Sequence, residues 1–274
     1  MGYKLKLTNL QNVAPGNTAT LKAPAGPGAP TYDQIRFTLS GGMTPAHIES
    51  IRGKANGRIF LDEQAGTVVN RRDAYRGIFT SANYVTLDFT EPKSRNGAAE
   101  QLLASVPASL LQSLDFEIKI AAGAPANGRI DASANYRPPV NNPYIRKLLN
   151  TTQSFSAAGT EASPNIMYLP VGGAGGKIKR VWVRESVNGL VTGAQIRIAN
   201  NVVHEVTRAQ VEDDQKRNGL APDVGMFVLD FIEDGNLAGM LDTAGAPNVE
   251  LRLVTSAAGT FGVDYELVDP IGRL

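Results

Sequence analysis

One glycine-rich segment of the chain approaches the spacing of a phosphate-binding loop. It reads Val171-Gly172-Gly173-Ala174-Gly175-Gly176-Lys177-Ile178. The pattern G-x-x-x-x-G-K-[ST] needs a first glycine for close backbone approach and a hydroxyl group after the lysine to bind magnesium. Val171 replaces that glycine, Ile178 replaces that hydroxyl, and the residues that follow alternate like a strand rather than a helix. The sequence therefore predicts a turn here and no nucleotide site.

Histidine and carboxylate side chains are further candidates for catalysis or metal binding. His47 and His204 are the only histidines and fall in different halves, so we expect solvent-facing or loop histidines rather than a metal pair. Glu212-Asp213-Asp214 lacks the alternating carboxylates and the glycine of a calcium loop, which favours a solvated helix face. Asp88 and Asp230 occupy equivalent polar positions of two similar strands, which favours a shared structural role.

The remaining chemistry-bearing residues are few. Trp182 is the only tryptophan, and in an amphipathic strand a lone aromatic residue is more typical of a core than of a sugar site. Lys4, Lys6 and Lys22 leave two alternatives open, an anionic membrane surface or no binding role. The chain has no cysteine, which excludes disulfides and thiolate catalysis. No nucleophile motif accompanies a suitable histidine and acid. The sequence predicts no catalytic, cofactor-binding or metal-ligating residue.

The composition is typical of a turn-rich β protein. Among 274 residues, 42% are hydrophobic and 19% charged, with 28 glycines and 16 prolines. A formal net charge of +1 gives no support to a nucleic-acid-coating role, which requires phosphate neutralisation. The first residues show no apolar leader, and no apolar run is long enough to span a membrane. We therefore expect synthesis in a reducing cytosol.

An internal repeat indicates that the chain holds two copies of one fold. Three pairs of segments match in the same order, 142, 139 and 133 residues apart. The three separations differ by a few residues, as expected if loops of different length connect the strands of two diverged copies. The pairs are Val85–Glu91 with Phe227–Glu233, Gly57–Phe60 with Ile196–Ala199, and Phe116–Ile120 with Val249–Leu253.

Alternation of apolar and polar residues predicts strands throughout both halves. Gly/Pro/Asn turns separate them, which favours antiparallel sandwiches over a parallel α/β sheet. We predict an all-β protein of two tandem eight-stranded jelly rolls with short inserted helices. The clearest strands are 18–22, 35–39, 85–89, 114–120 and 130–134 in the first half, and 166–169, 178–183, 194–198, 227–231, 249–254 and 263–267 in the second.

Helices and a domain boundary complete the prediction. Helical spacing occurs over Ala98–Gln112, where Pro107 must bend or divide the helix, and in its shorter counterpart Asn236–Asp242. Glu205–Asn218 is a polar helix that Gly219 should end. The proline-rich stretch after residue 136 cannot continue a strand, and residues 144–150 are predicted as a short helix. The expected domains are a first jelly roll over 1–136, a linker over 137–150 and a second jelly roll over 151–274.

Several segments resemble one virus family. Leu7–Asn17 with Leu21–Pro24 is similar to the opening of corticovirus major capsid proteins. Gly42–Ile48 and Gly57–Ile59 resemble the next part of their first domain, and Leu169–Gly172 resembles the entry to their second. That family belongs to the tandem double jelly-roll lineage, which includes the adenovirus hexon.

The resemblance implies a function as well as a fold. It implies homotrimers whose six jelly rolls form a pseudo-hexagonal block, and these blocks tile the icosahedral shell of a membrane-containing bacteriophage. The implied partners are neighbouring trimers, a penton or vertex protein and an internal viral membrane, with no specific nucleic acid and no small-molecule substrate. Calcium accompanies some shells of this kind, although no residue here identifies a site.

The function predicted is therefore that of a structural protein located in the virion capsid, and not of an enzyme. Two other classes stay open at this point. One is a carbohydrate-binding or receptor-binding pair of β-sandwiches, as in a spike or adhesin; a single tryptophan counts against sugar stacking. The other is a hydrolase on a jelly-roll scaffold, which would have to use Asp88, Asp230, His47 or His204.

Overall fold

The computed structural model describes residues 3–91, 94–95, 105–169 and 176–274. Contacts between Cα atoms divide the chain into two units. The first unit comprises Met1–Leu149 with Pro270–Leu274, and the second comprises Asn150–Asp269. Within each unit, antiparallel strands form two sheets.

The first unit contains two four-stranded sheets with the orders β1-β9-β3-β6 and β2-β8-β4-β5. The short strand β7 pairs with β3, and β10 pairs in parallel with β5 through Leu148 and Leu61. The strands are β1 (Tyr3–Lys6), β2 (Thr18–Ala23), β3 (Thr31–Ser40), β4 (Ile48–Ala55), β5 (Arg58–Glu63), β6 (Tyr84–Asp88), β7 (Val106–Pro107), β8 (Leu114–Ile120), β9 (Arg129–Arg137) and β10 (Tyr144–Phe155).

The second unit repeats this order with β10-β18-β12-β15 and β11-β17-β13-β14. Here the last residues of β10 lie beside β18, where the Ser154 and Thr260 hydroxyl groups share a hydrogen bond of 2.8 Å. Another short strand, β16, pairs with β12. The strands are β11 (Asn165–Tyr168), β12 (Lys177–Glu185), β13 (Val191–Ile198), β14 (Asn201–Thr207), β15 (Met226–Asp230), β16 (Leu241–Asp242), β17 (Val249–Thr255) and β18 (Gly259–Pro270).

Each unit is therefore an eight-stranded jelly roll, and the predicted fold class is confirmed. Even the short strands correspond, because β7 and β16 both pair with the third strand of their sheet. Every strand predicted from alternation lies within an observed strand or ends one residue beyond it. Alternation works because one face of each strand is buried: in β8, Leu114, Phe116, Ile118 and Ile120 are at most 1% exposed.

The first core depends on a close approach between strands. Phe60 lies edge-on to Phe116 with ring centroids 6.2 Å apart. Gly53 on β4 allows this packing, since a Cβ atom there would lie 2.9 Å from the Phe60 ring. A side chain at position 53 would push the aromatic pair out of the core.

The described residues contain two α-helices, which lie at matching places in the two units. They are α1 (Gly66–Tyr75), between β5 and β6, and α2 (Arg208–Arg217), between β14 and β15. A capping box of Thr207 and Gln210 begins α2, and Gly219 follows its end with φ of 72°. The predicted polar helix is therefore present but shorter, since residues 205–207 complete β14. The sequence prediction missed α1, whose first turn has no side-chain cap.

The other predicted helices were wrong where the structure describes them. Residues 98–104 of the segment predicted over 98–112 lie outside the described residues, and the rest forms β7 and the 3₁₀ turn Ala108–Leu110. Pro107 donates no backbone hydrogen bond, which disfavours a continuous helix. The segment 236–242 forms the 3₁₀ turn Leu237–Gly239 followed by β16. Two further 3₁₀ turns cover Pro45–His47 and Ile271–Arg273.

Residues 144–150 were also predicted as a helix, but they belong to the long strand β10. Pairing of Leu148 with Leu61 and burial of Ile145 and Leu148 fix the extended conformation. Tertiary pairing thus overrides a weak local helical preference. The connection without strand structure is shorter than predicted, from residue 138 to residue 143.

The repeat segments can now be placed on the two jelly rolls. Val85–Glu91 and Phe227–Glu233 overlap β6 and β15, which hold the same sheet position, and the third pair likewise falls on β8 and β17. The second pair was wrong, because Arg58 lies on β5 while Arg197 lies on β13, the counterpart of β4. Two of the three matches therefore align equivalent strands.

Candidate functional site

The repeated aspartates Asp88 and Asp230 lie at equivalent positions of the two units. Asp88 ends β6, and its Oδ1 accepts hydrogen bonds from the backbone N–H and the hydroxyl of Thr90, at 2.9 and 2.7 Å. Asp230 ends β15 in the same way, and its Oδ1 accepts from the backbone N–H of Ile232 at 3.0 Å. Each carboxylate therefore closes a turn at the same position of its jelly roll. This supports the predicted structural role.

In the first unit, Asp88 ends a row of polar side chains that crosses three strands. Gln34 on β3 pairs with Asp88 on one side and Asn135 of β9 on the other. The Asn135 amide donates to Gln34 Oε1 at 2.6 Å, and the Gln34 amide donates to Asp88 Oδ2 at 2.7 Å. Two of the three side chains are uncharged, and the row is partly exposed. We call it the amide row.

The equivalent row of the second unit is charged and buried. Arg180 on β12 pairs with Asp230 and with Glu266 of β18. Arg180 donates to Asp230 Oδ2 at 2.8 Å and to Glu266 Oε2 at 3.4 Å, and Lys179 lies 3.0 Å from the same glutamate. These four side chains are at most 4% exposed. We call Arg180, Asp230 and Glu266 the ionic row, and Lys179 is a further cation beside it; buried charges of this kind require partners of opposite sign.

Three residues after each aspartate, the repeat carries a glutamate in contrasting surroundings. Glu91 lies 3.9 Å from the guanidinium of Arg76, and both side chains are buried. Burial and the nearby carboxylates of Asp214, Asp230 and Asp234 raise the pKa of Glu233 to about 7. The two positions are therefore equivalent in sequence but opposite in electrostatic environment.

The two histidines lie in different units. His47 ends a 3₁₀ turn, where its Nδ1 accepts a hydrogen bond of 3.0 Å from the backbone N–H of Thr44, as expected of a turn residue. His204 lies on β14 and is half-buried, with its ring edge-on to Phe231 at 5.3 Å, so its predicted loop or solvent-facing placement was wrong. Burial lowers the pKa of His204, which favours the neutral ring.

The other sequence candidates take structural positions. Glu212 and Asp213 lie on α2, where they pair with Arg208 and Arg217 at 3.2 and 2.8 Å. Trp182 is 1% exposed on β12, as expected of a packed residue. Residues 171–175 lie outside the described residues, but Lys177 begins β12 rather than a helix, unlike the lysine of a phosphate loop.

Lys4 and Lys6 are exposed on β1, and Lys22 is exposed on β2. Among the described residues, no group of three or more histidine or carboxylate side chains is arranged to hold a metal ion. We therefore assign no calcium site. In the same part of the chain, no helix has the length and hydropathy needed to cross a membrane.

A hollow of about 570 Å³ lies on the second unit, across β13, β14 and β17. Its polar lining includes Glu161, Gln195, Glu205 and Arg252, and its apolar lining is aliphatic. No aromatic ring lines it, so it offers no platform on which a sugar could stack. The carbohydrate-binding alternative finds no support in this hollow.

The sequence prediction missed Gln34, Asn135, Arg180 and Glu266, which complete the two rows. They lie on strands that are distant in the sequence and meet only through strand register. The repeated aspartates are a signal that could have led to them, because two copies of one fold must place equivalent neighbours beside equivalent residues. Strand pairing was needed to identify those neighbours.

Comparison with solved structures shows the same fold along the whole chain. The crystal structure of the major capsid protein P2 from bacteriophage PM2 matches with a TM-score of 0.88 and 17% identity, covering 100% of this chain and 99% of that one. The structure of Sulfolobus turreted icosahedral virus matches with a TM-score of 0.71 and 15% identity, covering 98% and 91%. The PBCV-1 virus capsid matches with a TM-score of 0.64 and 11% identity, covering 98% and 94%.

No curated protein matches the chain in sequence. Two family models do match and together span most of it. The model of the viral coat protein P2 N-terminal domain matches residues 4–137, and that of the viral coat protein P2 C-terminal domain matches residues 145–271. The predicted capsid role is confirmed, and the spike or adhesin alternative is not favoured. The chain belongs to the viral coat protein P2 family and has a structural role in the virion capsid.

Proposed function

We propose that this protein is the major building block of an icosahedral shell and assembles as a homotrimer. The observation that carries the proposal is the identical strand order of the two units, β1-β9-β3-β6 with β2-β8-β4-β5 and β10-β18-β12-β15 with β11-β17-β13-β14. Three chains that each contribute two equivalent jelly rolls supply six similar bodies. A three-fold assembly of this kind approximates six-fold symmetry and fills a hexagonal lattice.

Divergence between the copies supports the same proposal. The amide row and the ionic row hold equivalent positions, yet one is partly exposed and the other is buried. Two copies in one block need not contact the same neighbours, so their outer faces can diverge while the fold is retained. Function then resides in surfaces between chains rather than in a catalytic pocket, and we propose no catalytic, cofactor-binding or metal-ligating residue.

The finer parts of the proposal rest on the family resemblance. They are synthesis in the host cytoplasm, a vertex protein at the five-fold positions and a membrane beneath the shell of a bacteriophage. The domain bounds 1–136 and 151–274 also stay a prediction. Limited proteolysis tests these bounds: cleavage within 137–150 that leaves two folded fragments would support them.

Sedimentation and electron microscopy test the assembly. Sedimentation equilibrium should give a mass three times the 29.1 kDa of one chain. Electron micrographs of the purified protein should show particles with a pseudo-hexagonal outline. Cryo-electron microscopy of virus particles should place six jelly rolls in each block. A protein that stays strictly monomeric and is absent from particles would contradict the proposal.

A further inference from the structure

A small hollow lies on the outer face of the β1-β9-β3-β6 sheet, next to the amide row. Its volume is about 160 Å³, and Lys4, Lys6 and Arg36 are its charged lining residues. Strand pairing sets Lys6 beside Ser133 and sets Ser133 beside Arg36. A short serine between two long cationic side chains leaves the concave space. The remaining lining residues are Leu5, Gln34, Ala134 and Asn135.

The charge of this hollow is not balanced locally. Three cations and no carboxylate line it. Lys6 approaches Asp131 at 3.8 Å, but both side chains are more than half exposed, so the pair is weak. Asp88, at the end of the amide row, is 3% exposed and already accepts hydrogen bonds from Gln34 and Thr90. Among the described residues, Lys4 forms no ion pair.

Arg36 is held in place by its neighbours. Its Nε donates to the Thr86 hydroxyl at 3.4 Å, and its guanidinium lies 5.5 Å from the centre of the Tyr84 ring. A guanidinium supported in this way presents a planar set of donors that suits an oxyanion. The hydroxyl of Ser133 adds a further donor at the hollow.

The second unit shows that this arrangement is not a by-product of the jelly roll. Trp182 holds the position of Arg36, and Asp264 holds the position of Ser133. Both are at most 1% exposed. The fold therefore does not require a cationic hollow at these positions.

We propose that the hollow of Lys4, Lys6, Arg36 and Ser133 binds a phosphate group. Three cations and a hydroxyl donor match the charge and the acceptor oxygens of a phosphate. The group comes from inorganic phosphate or from a phospholipid headgroup. Phe79, which is 91% exposed, and Tyr84 line a neighbouring hollow that shares Arg36, and such aromatic residues are common at membrane interfaces.

Calorimetric titration of the purified protein with inorganic phosphate tests the site. Sodium chloride at the same ionic strength is the reference. We expect saturable binding of phosphate, and a dissociation constant about tenfold higher in Arg36→Gln, which removes one charge-assisted partner. The matched control is Lys22→Gln, which removes the same charge from an exposed position on the other sheet of this unit and should leave binding unchanged.

A second variant distinguishes loss of binding from loss of folding. Ser133→Asp introduces the residue that the second unit carries at this position, Asp264. It should abolish phosphate binding while circular dichroism stays that of the unaltered protein. Because the site lies within one unit, this test does not depend on trimer formation, and its failure is distinguishable from failure of the proposed assembly.

Vesicle flotation separates the two sources of phosphate. If phosphatidylglycerol vesicles bind the protein, lose it on Arg36→Gln and release it to free phosphate, the ligand is a lipid headgroup. If phosphate binds and the vesicles do not, the ligand is a soluble phosphate. The proposal is overturned if phosphate gives no more heat than chloride, if Lys22→Gln weakens binding as much as Arg36→Gln, or if vesicles bind without saturable phosphate binding.

Discussion

The amide row of the first unit and the ionic row of the second are the same three positions with different chemistry. In both, three neighbouring strands contribute one side chain each, and the aspartate closes a turn. Gln34 and Asn135 of the first unit are replaced by Arg180 and Glu266 in the second. Only the aspartate is common to both rows.

This difference follows the environment of each row. An exposed or partly exposed position tolerates amides, since water can satisfy whatever hydrogen bonds the protein does not. A buried carboxylate needs partners, because an unpaired charge is costly in a low dielectric. Asp230 and Glu266 have the cation of Arg180, whereas the single carboxylate of Asp88 has hydrogen bonds from Gln34 and Thr90. The turn at the aspartate is thus the conserved structural element, while the rest of each row matches its burial.

Replacing the central residue of each row should give the largest difference in the free energy of unfolding between the two units. We expect Arg180→Met to lower the free energy of unfolding by about 3–5 kcal/mol, because Asp230 and Glu266 stay buried with one cation fewer. The counterpart Gln34→Met should cost less, about 1–2 kcal/mol, because it removes no charge and the buried Asp88 carboxylate keeps its two hydrogen bonds from Thr90.

Urea denaturation can follow the two units separately. Trp182 is the only tryptophan and lies in the second unit, so its fluorescence reports that unit, whereas circular dichroism reports both. Two signals are needed because a chain of two units need not unfold in one step. Equal losses for the two variants would show that burial does not distinguish the rows.

Substituting the aspartate that both rows share should give a smaller difference in stability between the two units. We expect Asp230→Asn to cost about 2–3 kcal/mol, because it keeps the turn acceptor but removes the negative charge next to Arg180. Asp88→Asn should cost about 1 kcal/mol, since the hydrogen-bond donors to its carboxylate are the neutral side chains of Gln34 and Thr90.

The same denaturation experiment checks this second contrast, with Asp213→Asn as its control. The pair of Asp213 with Arg217 is exposed, so the control should change stability by well under 1 kcal/mol. If Asp88→Asn were the more damaging change, the turn rather than the charge would dominate the energetics of these positions.

Local sequence patterns predicted the strands, because a strand depends on which of its own residues are buried. The alternation over Leu114–Ile120 predicted β8, because a strand with one buried face must alternate. Composition and the repeat of Leu87 and Leu229 predicted two copies of one sandwich. These features could be found without knowing which strands are neighbours.

Features that depend on distant pairing could not be predicted in this way. β10 was predicted to begin as a helix because its partner β5 is far away in the sequence. The partners of Asp88 and Asp230 were missed because they lie 54 and 50 residues before the aspartates and meet them only through register. The hollow of Lys4, Lys6 and Arg36 likewise exists only once β1, β9 and β3 are aligned.

The glutamates three residues after the aspartates give the smallest contrast, and it depends on pH. The pKa of Glu233 is raised to about 7 from an ordinary value of 4.5. Below pH 4.5 the folded and unfolded states are both protonated at this residue, so it contributes nothing. Between pH 4.5 and 7 the folded state binds more protons than the unfolded state, so the free energy of unfolding falls as the pH rises. Above pH 7 this loss of stability stays constant.

Glu233→Gln should therefore flatten the pH dependence of unfolding between pH 4.5 and 7. Because Glu233 is half-buried, solvent screening limits the expected increase in the free energy of unfolding to about 1 kcal/mol at pH 7.5. At pH 4 the substitution should give no increase. Glu91→Gln is the matched change in the first unit and should instead destabilise the protein at neutral pH, since Glu91 lies beside Arg76. A gain from both substitutions would mean that the two sites share one electrostatic environment despite their different neighbours.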